Sequence, residues 1–247
     1  MEAVKIKLYQ NMVNYKREMS YGYVQTYPLP TPSMVKGMVH DLLKLKKFHN
    51  LKISIQGNYE SIVTNMQRVY KFSRDRNTCP DNPYDIIVGN SSKTATHGVM
   101  FVDLIVEMNL ILHICFDEAH LNTKLLEAVK QKTVVLGRNE DIALVDFEQT
   151  KMVNLQKCDK QILFNNNIFI PQEIAKEVSL YGTSYRLPFY YNPVSSFEDN
   201  RIFKFVDVMY IIKDSEIQKI DYLIDDDNET VFFVTALGNK LPSIYTV

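Results

Sequence analysis

Residues 102–116 read VDLIVEMNLILHICF, and this stretch is the clearest structural signal in the chain. Apolar side chains occupy every second position from Val102 to Phe116, so the hydrophobic period is two over fifteen residues. This period predicts a long β-strand with one buried face, most naturally in an antiparallel sheet.

Weaker signals on both sides of this strand complete the pattern. A strand-like alternation starts at Val4, and Thr31-Pro32 predicts the N-cap and first residue of a helix. Residues 51–72 read as strand, and a helix at about 122–132 precedes a strand at about 142–147. This order predicts an α+β fold, a ferredoxin-like or RRM-like domain whose antiparallel sheet carries two helices on one face.

The regions outside these elements are of two kinds. Residues 73–98 are polar and lie between the second and third strands of the pattern, so we expect a projecting hairpin or a mobile loop. Beyond about residue 155 the helical signals fade, and residues 201–212, 217–224 and 230–236 read as strands. The sequence therefore predicts an RRM-like domain at 1–154 and a small β-rich domain at 155–247.

Composition indicates a globular protein. The chain has 247 residues, 46% hydrophobic and 23% charged, and no run approaches the roughly 20 apolar residues of a membrane span. The three cysteines are odd in number and far apart, which favours a reducing compartment. We expect a cytoplasmic protein, not a membrane protein.

Charge is distributed unevenly along the chain. Residues 1–100 hold 14 Lys+Arg and 7 Asp+Glu, whereas residues 101–247 hold 14 and 22. This asymmetry suggests one basic face for an anionic partner, and an uneven solvated surface is the alternative.

Standard catalytic and cofactor motifs are absent from the sequence. There is no phosphate-binding GxxxxGK[ST], no strand-linked GxGxxG, no GxSxG, no HExxH and no CxxC pair, so we predict no cofactor and no metal site. His113 and His120 are interpreted as core or edge histidines. Asp225, Asp226 and Asp227 are interpreted as a solvated turn rather than a cation site.

Three features remain as candidates for a binding site. Gly37 lies in the middle of the first helix, which suggests that a neighbouring strand or a ligand approaches the backbone closely. Lys36, His40, Lys44 and Lys47 form a basic stripe that could equally be a solvated helix face. In the third, Leu136-Gly137-Arg138, the glycine suits the C-cap of the second helix and the arginine could grip a phosphate.

Two segments resemble a known family. YPLPTPSMVKGMVH at 27–40 resembles the first-helix motif of the Cas-five family of CRISPR-associated RAMP proteins, and VLGRNED at 135–141 resembles its second motif. The resemblance, closest to the type I-B branch, implies a subunit of a type I Cascade complex that holds the 5′ handle of the CRISPR RNA (crRNA). It also implies contacts with the backbone subunit and the large subunit, close to target DNA. Residues 73–98 would be the family's thumb.

Candidate RNA-binding residues follow from the motifs and the thumb. Tyr27 is a candidate for stacking on a base, or else a packing residue, and Ser33 and Gly37 belong to the first motif. Phosphate and base contacts are predicted for the remaining candidates: Lys36, His40, Arg74, Arg76, Lys93, His97 and Arg138.

Three alternatives to this reading remain open. In the type I-C branch, the family member cleaves precursor crRNA with tyrosine, lysine and histidine, and Tyr27, Lys93 and His97 supply those residue types. A metabolic enzyme on a ferredoxin-like scaffold would need a pocket that no motif indicates. A protein-binding module could use the acidic half of the chain.

Overall fold

A computed structural model describes residues 1–20, 22–75, 77–191, 203–217 and 221–235. Within these ranges it has three helices, α1 Pro32–Leu43, α2 Ala119–Gln131 and α3 Gln172–Glu177. The strands of the first 154 residues are β1 Glu2–Val13, β2 Tyr23–Val24, β3 Leu51–Asn58, β4 Ser61–Asp75, β5 Tyr84–Val88, β6 Ser91–Phe116, β7 Val134–Val135, β8 Ile142–Val145 and β9 Lys151–Asn154. The later strands are β10 Gln156–Cys158, β11 Ile162–Leu163, β12 Asn167–Pro171, β13 Thr183–Tyr191, β14 Phe203–Ile211, β15 Glu216–Ile217, β16 Tyr222–Ile224, β17 Thr230–Val231 and β18 Val234–Thr235.

The centre of the molecule is a mixed α/β arrangement dominated by one antiparallel sheet. Its strand order is β13-β14-β12-β3-β6-β1-β8-β7, with β6 between β3 and β1. The predicted long strand is therefore present, as β6, and it is longer than the periodic stretch. In register, Ile114 faces Val4 on one side and Ile53 on the other, so three apolar strands form the middle of the sheet.

The two predicted helices pack on the sheet through one core. Thr31 caps α1 as expected, since its hydroxyl accepts a hydrogen bond from the Met34 amide, and Pro32 is the first helical residue. Val35 and Val39 of α1 and Leu125 of α2 are fully buried in this core. The helix ends at Leu43, and Lys44 follows in the left-handed conformation (φ 53°).

The segment predicted as a hairpin or mobile loop is a β-ribbon, which we call the arm (residues 61–106). β4 pairs with β6 from Ser61 opposite Val106 to Asp75 opposite Lys93, and β5 pairs with the start of β6. The apparent single strand at 51–72 is therefore two strands, β3 and β4, that pair in succession with β6. The arm begins before residue 73, because the strands on both sides of the polar segment run into it without a break.

The C-terminal region joins the same sheet. Ile168 of β12 lies opposite Gln56 of β3, and Val234 of β18 lies opposite Ile53, so later strands complete the free edge of β3. A second apolar cluster around Phe164 and Phe232 packs under α3. The sequence pattern did not predict α3, β12 or β13. The division into two domains at 154/155 stays a prediction.

A buried ion-pair network fastens the C-terminal region to β1 and β6. The Asp225 carboxylate lies 2.8 Å from Lys5 Nζ and 3.0 Å from His113 Nε2, and all three side chains are at most 2% exposed. We call this the Lys5–Asp225–His113 network. The expectation of a solvated turn is therefore wrong for Asp225, because the two basic side chains and two backbone amides stabilise its buried charge. His113 is a core histidine, as predicted.

Two smaller findings complete the description. Among the described residues, Cys79, Cys115 and Cys158 form no disulfide. Over the residues that the structure describes, every helix falls short of the length and apolar character needed to cross a bilayer.

Candidate nucleic-acid interface

Helix α1 separates the residues of the first motif onto two surfaces. Lys36 and His40 lie one turn apart on the flank that faces Phe48 and β13. Gly37 lies on the other flank, where it lines a groove shared with the segment after α2. The predicted stripe is shorter than expected, because Lys44 caps the helix and Lys47 lies beyond its end.

Lys36 belongs to a group of rings and lysines that we call the aromatic–lysine cluster: Lys36, Phe48, Tyr190, Tyr191 and Lys204. Lys36 Nζ lies 5.3 Å from the Phe48 ring centroid and 5.6 Å from that of Tyr191. Phe48 stacks on Tyr190 with 4.5 Å between centroids, and Lys204 Nζ lies 5.4 Å from the Tyr190 centroid. Both ammonium groups therefore lie within cation–π distance of aromatic rings.

Packing of distant segments creates this cluster. Phe48 lies in the loop after α1, and Tyr190 and Tyr191 end β13. Lys204 of β14 lies directly opposite Tyr190 in the sheet register. Phe48, the two tyrosines and Lys204 were not among the residues predicted from the sequence. The one sequence feature that could have indicated them is the Tyr190-Tyr191 pair at the end of an apolar run.

The electrostatics of the cluster favour a neutral histidine next to a partly desolvated lysine. Burial lowers the pKa of Lys36 below its ordinary value. Burial, together with the nearby positive charges of Lys36 and His49, lowers the pKa of His40 to about 4. His40 Nε2 is buried and makes no hydrogen bond in the structure. An anion placed here would meet a cation that water screens only partly.

The arm carries a second aromatic surface. The side chains of Tyr70, Phe72 and Tyr84 are 50%, 61% and 37% exposed. The centroid of the Tyr70 ring lies 6.3 Å from that of Phe72 and 5.8 Å from that of Tyr84. His97 lies opposite Tyr70 in the register and 5.9 Å from the Tyr84 ring. We call Tyr70, Phe72, Tyr84 and His97 the arm aromatic face, and Arg68 lies over its Tyr70 ring at 5.7 Å.

The remaining thumb candidates differ in their surroundings. Lys93 Nζ lies 2.6 Å from the Asp75 carboxylate, so its charge is already paired across the ribbon. Arg74 belongs to β4 and lies opposite Thr94 in the register. Arg76 lies outside the described residues.

Arg138 is held by acidic neighbours. Its guanidinium contacts both oxygens of Asp141, with Nη2 2.7 Å from Oδ1, and it also pairs with Glu140 at 3.1 Å. Nη1 donates to Gln67 of β4 at 3.2 Å. Hydrogen bonding to Asp141 raises the pKa of Arg138. In this structure Arg138 links the turn between β7 and β8 to β4 of the arm.

The expected C-cap role of Gly137 is wrong, because α2 ends at Gln131 and Gly137 lies in the turn between β7 and β8. Its φ of 113° is a conformation that L side chains rarely adopt. A Cβ at Gly137 would come within 2.7 Å of the Asp141 carboxylate and 3.0 Å of the Asn14 carbonyl oxygen. The glycine therefore allows the turn to pack closely on β1.

Tyr27 is a packing residue in this structure. Its side chain is 5% exposed, its ring packs edge-on against Tyr185, and its hydroxyl donates to Glu18 at 2.5 Å. Burial, reinforced by Glu18, raises its pKa well above the ordinary value. Ser33 is the second residue of α1 and is half-buried.

Tyr27, Lys93 and His97 do not form one catalytic group. Tyr27 is in the core beside Tyr185, whereas Lys93 and His97 belong to the arm. Those two residues are four positions apart on one strand, which separates their Cα atoms by roughly 13 Å. A base and a cation acting on one phosphate must both be within hydrogen-bonding reach of it.

The overall fold is similar to that of a solved structure. A chain of a CRISPR RNA-guided surveillance complex superimposes with a TM-score of 0.54 over 88% of this chain and 91% of that chain, at 10% identity. A chain of a type III-B Cmr-beta complex bound to cognate target RNA and AMPPnP is 14% identical with a TM-score of 0.44, and covers 89% of this chain and 86% of that one. A TM-score of 0.44 does not establish that these two chains share a fold. The first likeness places the protein in the fold class of a CRISPR complex chain.

Sequence comparison is more specific. The family model described as CRISPR-associated protein (Cas_Cas5) matches residues 3–153, more than half of the chain. The protein therefore belongs to this family, and the resemblance read from the two motifs is confirmed. No curated protein matches the sequence.

Proposed function

We propose that the protein is a subunit of a type I CRISPR effector complex, close to the type I-B branch, that binds and caps the 5′ handle of crRNA in the cytoplasm. Its partners would be the backbone subunit and the large subunit, near the target DNA. Family membership supports a CRISPR-associated role, and the strand order β3-β6-β1-β8 with α1 and α2 between strands supports an RRM-like core.

The aromatic–lysine cluster is the observation that carries RNA binding. Single-stranded RNA is recognised by stacking of splayed bases on rings and by cations that contact phosphates. The cluster supplies both groups on a rigid base, since its rings belong to a strand and a helix-linked loop that pack on the main core. Lys36 and Lys204 would contact phosphates while Phe48 and the tyrosines border a stacked base.

The arm aromatic face supplies a second stacking surface. Its rings are exposed, and Arg68 and His97 accompany them. Below its tip, where β5 also pairs with β6, the arm consists mainly of β4 and β6. A two-stranded ribbon is only marginally stable alone, so burial of this face against RNA would also stabilise the arm.

Handle binding can be tested by fluorescence anisotropy with a labelled repeat-derived RNA at several salt concentrations. Lys36→Ala should weaken binding about tenfold and reduce the salt slope by about 0.7, as expected for the loss of one phosphate contact. Phe48→Ala should weaken binding about tenfold through lost stacking, with little change in the salt slope. Lys124→Ala, an exposed lysine on α2, is the matched control. Equal affinities for all four proteins would reject the proposed interface.

A second candidate function, metal-independent RNA cleavage, is favoured by one observation. Lys36, the neutral His40 and the Tyr191 ring lie in one group, and these are the residue types that a cleavage site of this kind uses. His40 would take the proton of a 2′-hydroxyl as its oxygen attacks the adjacent phosphorus, and Lys36 would stabilise the phosphorane. The bond from phosphorus to the 5′-oxygen then breaks, the 5′-oxygen takes a proton from water, and a 2′,3′-cyclic phosphate remains. The test is to incubate precursor repeat RNA with the protein without metal and to run it on a denaturing gel. Cleavage must occur and must be lost in His40→Ala. If the RNA stays intact, handle binding is the one function that remains proposed.

A further inference from the structure

The exposed face of the arm continues from the arm aromatic face toward the main sheet. Phe101 lies on the same face of β6 as His97, because residues an even number of positions apart on a strand share a face. Met66 of β4 lies directly opposite Phe101, and Tyr23 of β2 lies beside it in a parallel register. Met66, Phe101 and Tyr23 are 65%, 49% and 40% exposed. We call these three side chains the arm platform.

One carboxylate borders the arm platform. Asp103 follows Phe101 by two positions on β6, so its side chain lies on the same face, directly opposite Thr64 of β4. Asp103 Oδ1 accepts hydrogen bonds from the Tyr23 hydroxyl at 2.5 Å and from the Thr64 hydroxyl at 2.8 Å. Within the described part of the chain, Asp103 Oδ2 accepts no hydrogen bond and the carboxylate has no cationic partner.

The two hydroxyl groups fix the position of this carboxylate. Tyr23 and Thr64 belong to strands that pair with opposite edges of β6, so Asp103 is held from both sides. A carboxylate has about four acceptor sites, and the two hydroxyls use those of Oδ1. Oδ2 therefore offers open acceptor sites beside the Phe101 ring, on a side chain whose conformational freedom is already restricted.

The surroundings of Asp103 suit the edge of a nucleobase. A negative charge repels a phosphate but accepts hydrogen bonds from N–H groups. Exposed rings on a sheet stack with splayed bases of single-stranded RNA, and the edge of a base on Phe101 would meet Asp103. Arg68 lies two positions beyond Met66 on the same face, away from Thr64, where it can contact the phosphate of the same nucleotide.

The pattern of donors and acceptors selects one base. Guanine presents two adjacent donors on its Watson–Crick edge, N1–H and the N2 amino group, which can meet a carboxylate together. Adenine and cytosine place a ring nitrogen with a lone pair next to their amino group, and uracil places its N3–H between two carbonyl oxygens. In those bases a lone pair would face the carboxylate, and this repulsion disfavours them.

We infer that the arm binds a guanine of the RNA, stacked on the arm platform, with its N1–H and N2 amino group donating to the Asp103 carboxylate. Arg68 contacts the phosphate of that nucleotide. The inference rests on the proposed function, because it takes RNA as the ligand, and it adds a base preference that the aromatic–lysine cluster does not provide.

Fluorescence anisotropy with short labelled RNAs measures this preference. The probes are oligouridines of roughly nine nucleotides that carry guanosine, adenosine or inosine at the central position. Inosine is guanosine without the N2 amino group. We expect wild-type protein to bind the guanosine probe about tenfold more tightly than the adenosine probe and several-fold more tightly than the inosine probe. Equal affinities for the three probes would overturn the inference.

Asp103→Asn tests the carboxylate with little change in shape. Its amide oxygen can still accept from Tyr23 and Thr64, whereas its NH₂ group would oppose the N1–H of guanine. We expect the guanosine preference to disappear while the urea midpoint and the affinity for plain oligouridine stay at the wild-type values. Asp41→Asn, the same chemical change on α1, is the matched control and should keep the preference. A preference that survives in Asp103→Asn would contradict the assignment.

The same probes distinguish failure of this inference from failure of the proposed function. Lys36→Ala should weaken binding of every probe and keep the guanosine preference, because the cluster and the arm contact different nucleotides. Wild-type protein that binds all probes equally would reject the guanine contact and leave handle binding in place. Protein that binds neither the probes nor the repeat-derived RNA would reject both. Asp103→Asn that lowers capture of a protein subunit but keeps the guanosine preference would assign the carboxylate to a protein contact and overturn the inference.

Discussion

Replacement of Asp225 by alanine should destabilise the whole protein, because it removes the buried carboxylate that pairs with the Lys5 ammonium and hydrogen-bonds the neutral His113 ring. The carboxylate makes four close contacts: Lys5 Nζ at 2.8 Å, His113 Nε2 at 3.0 Å, and the amides of Asp227 and Glu229 at 2.9 and 2.7 Å. Removing one partner of a buried ion pair costs about 3–5 kcal/mol. Asp227 still pairs with Lys5, so we expect about 3 kcal/mol, the lower end of that range.

Urea denaturation followed by circular dichroism measures this loss. With a slope of about 2–3 kcal/mol per molar urea, Asp225→Ala should lower the midpoint by roughly 1–1.5 M. Asp226→Ala is the matched control, because Asp226 is the exposed neighbouring carboxylate and accepts one hydrogen bond from the Asn154 amide. On the same slope, roughly 0.3 M corresponds to less than 1 kcal/mol. A midpoint within about 0.3 M of that control would therefore refute the reasoning.

The pH dependence provides a second test. Burial alone would raise the pKa of Asp225, but hydrogen bonds from His113, Lys5 and the Glu229 backbone outweigh it and hold the pKa well below the usual range. The stabilising contribution of this group is therefore complete above about pH 4, the pKa of an unfolded aspartate, and is lost as pH falls further. The stability difference between wild type and Asp225→Ala should therefore shrink as the pH falls below about 4.

Three further outcomes are expected. Thr31→Ala should destabilise the protein by about 1 kcal/mol in urea denaturation because α1 loses its N-cap, whereas Thr31→Ser should keep most of the stability. Gly57→Ala should lower the free energy of unfolding by about 1–3 kcal/mol, since the new Cβ would lie 2.5 Å from the Asn109 carbonyl oxygen. A change below about 0.5 kcal/mol, the scatter of ordinary surface substitutions, would contradict that close approach. NMR should find the His40 ring of the free protein neutral at pH 5.5, because its pKa is about 4; a midpoint near its usual 6.5 would show that the ring is not buried.

The first 150 residues could be predicted well because their signals are local. The period of two in β6 and the Thr31-Pro32 start of α1 depend on neighbouring residues, and each corresponds to an element in the structure. The C-terminal strands are short, and their pairing with β3 joins residues more than a hundred positions apart. No local period indicates such a partner, so α3, β12 and β13 were missed.

The candidate site was predicted only in part. Lys36 and His40 were identified from the first motif and do lie together, but Phe48, Tyr190 and Lys204 reach them only through packing of α1 on β13. Arg138 was expected to meet a phosphate, and the fold instead places Asp141 against it. The prediction of its RNA contact awaits a binding measurement.

The sequence alone determined the family, the long central strand, the two helices and the arm as an insertion. These features depend on periodicity, capping residues and short motifs, which act over a few residues. Tertiary structure decided which charges are available: it neutralises Arg138 and Lys93 with acidic neighbours and buries Asp225. It also places Lys36 among aromatic rings and leaves Gly37 facing open space. Such outcomes depend on which distant side chains come into contact, because Coulomb energies and desolvation are set by distance and burial rather than by position along the chain.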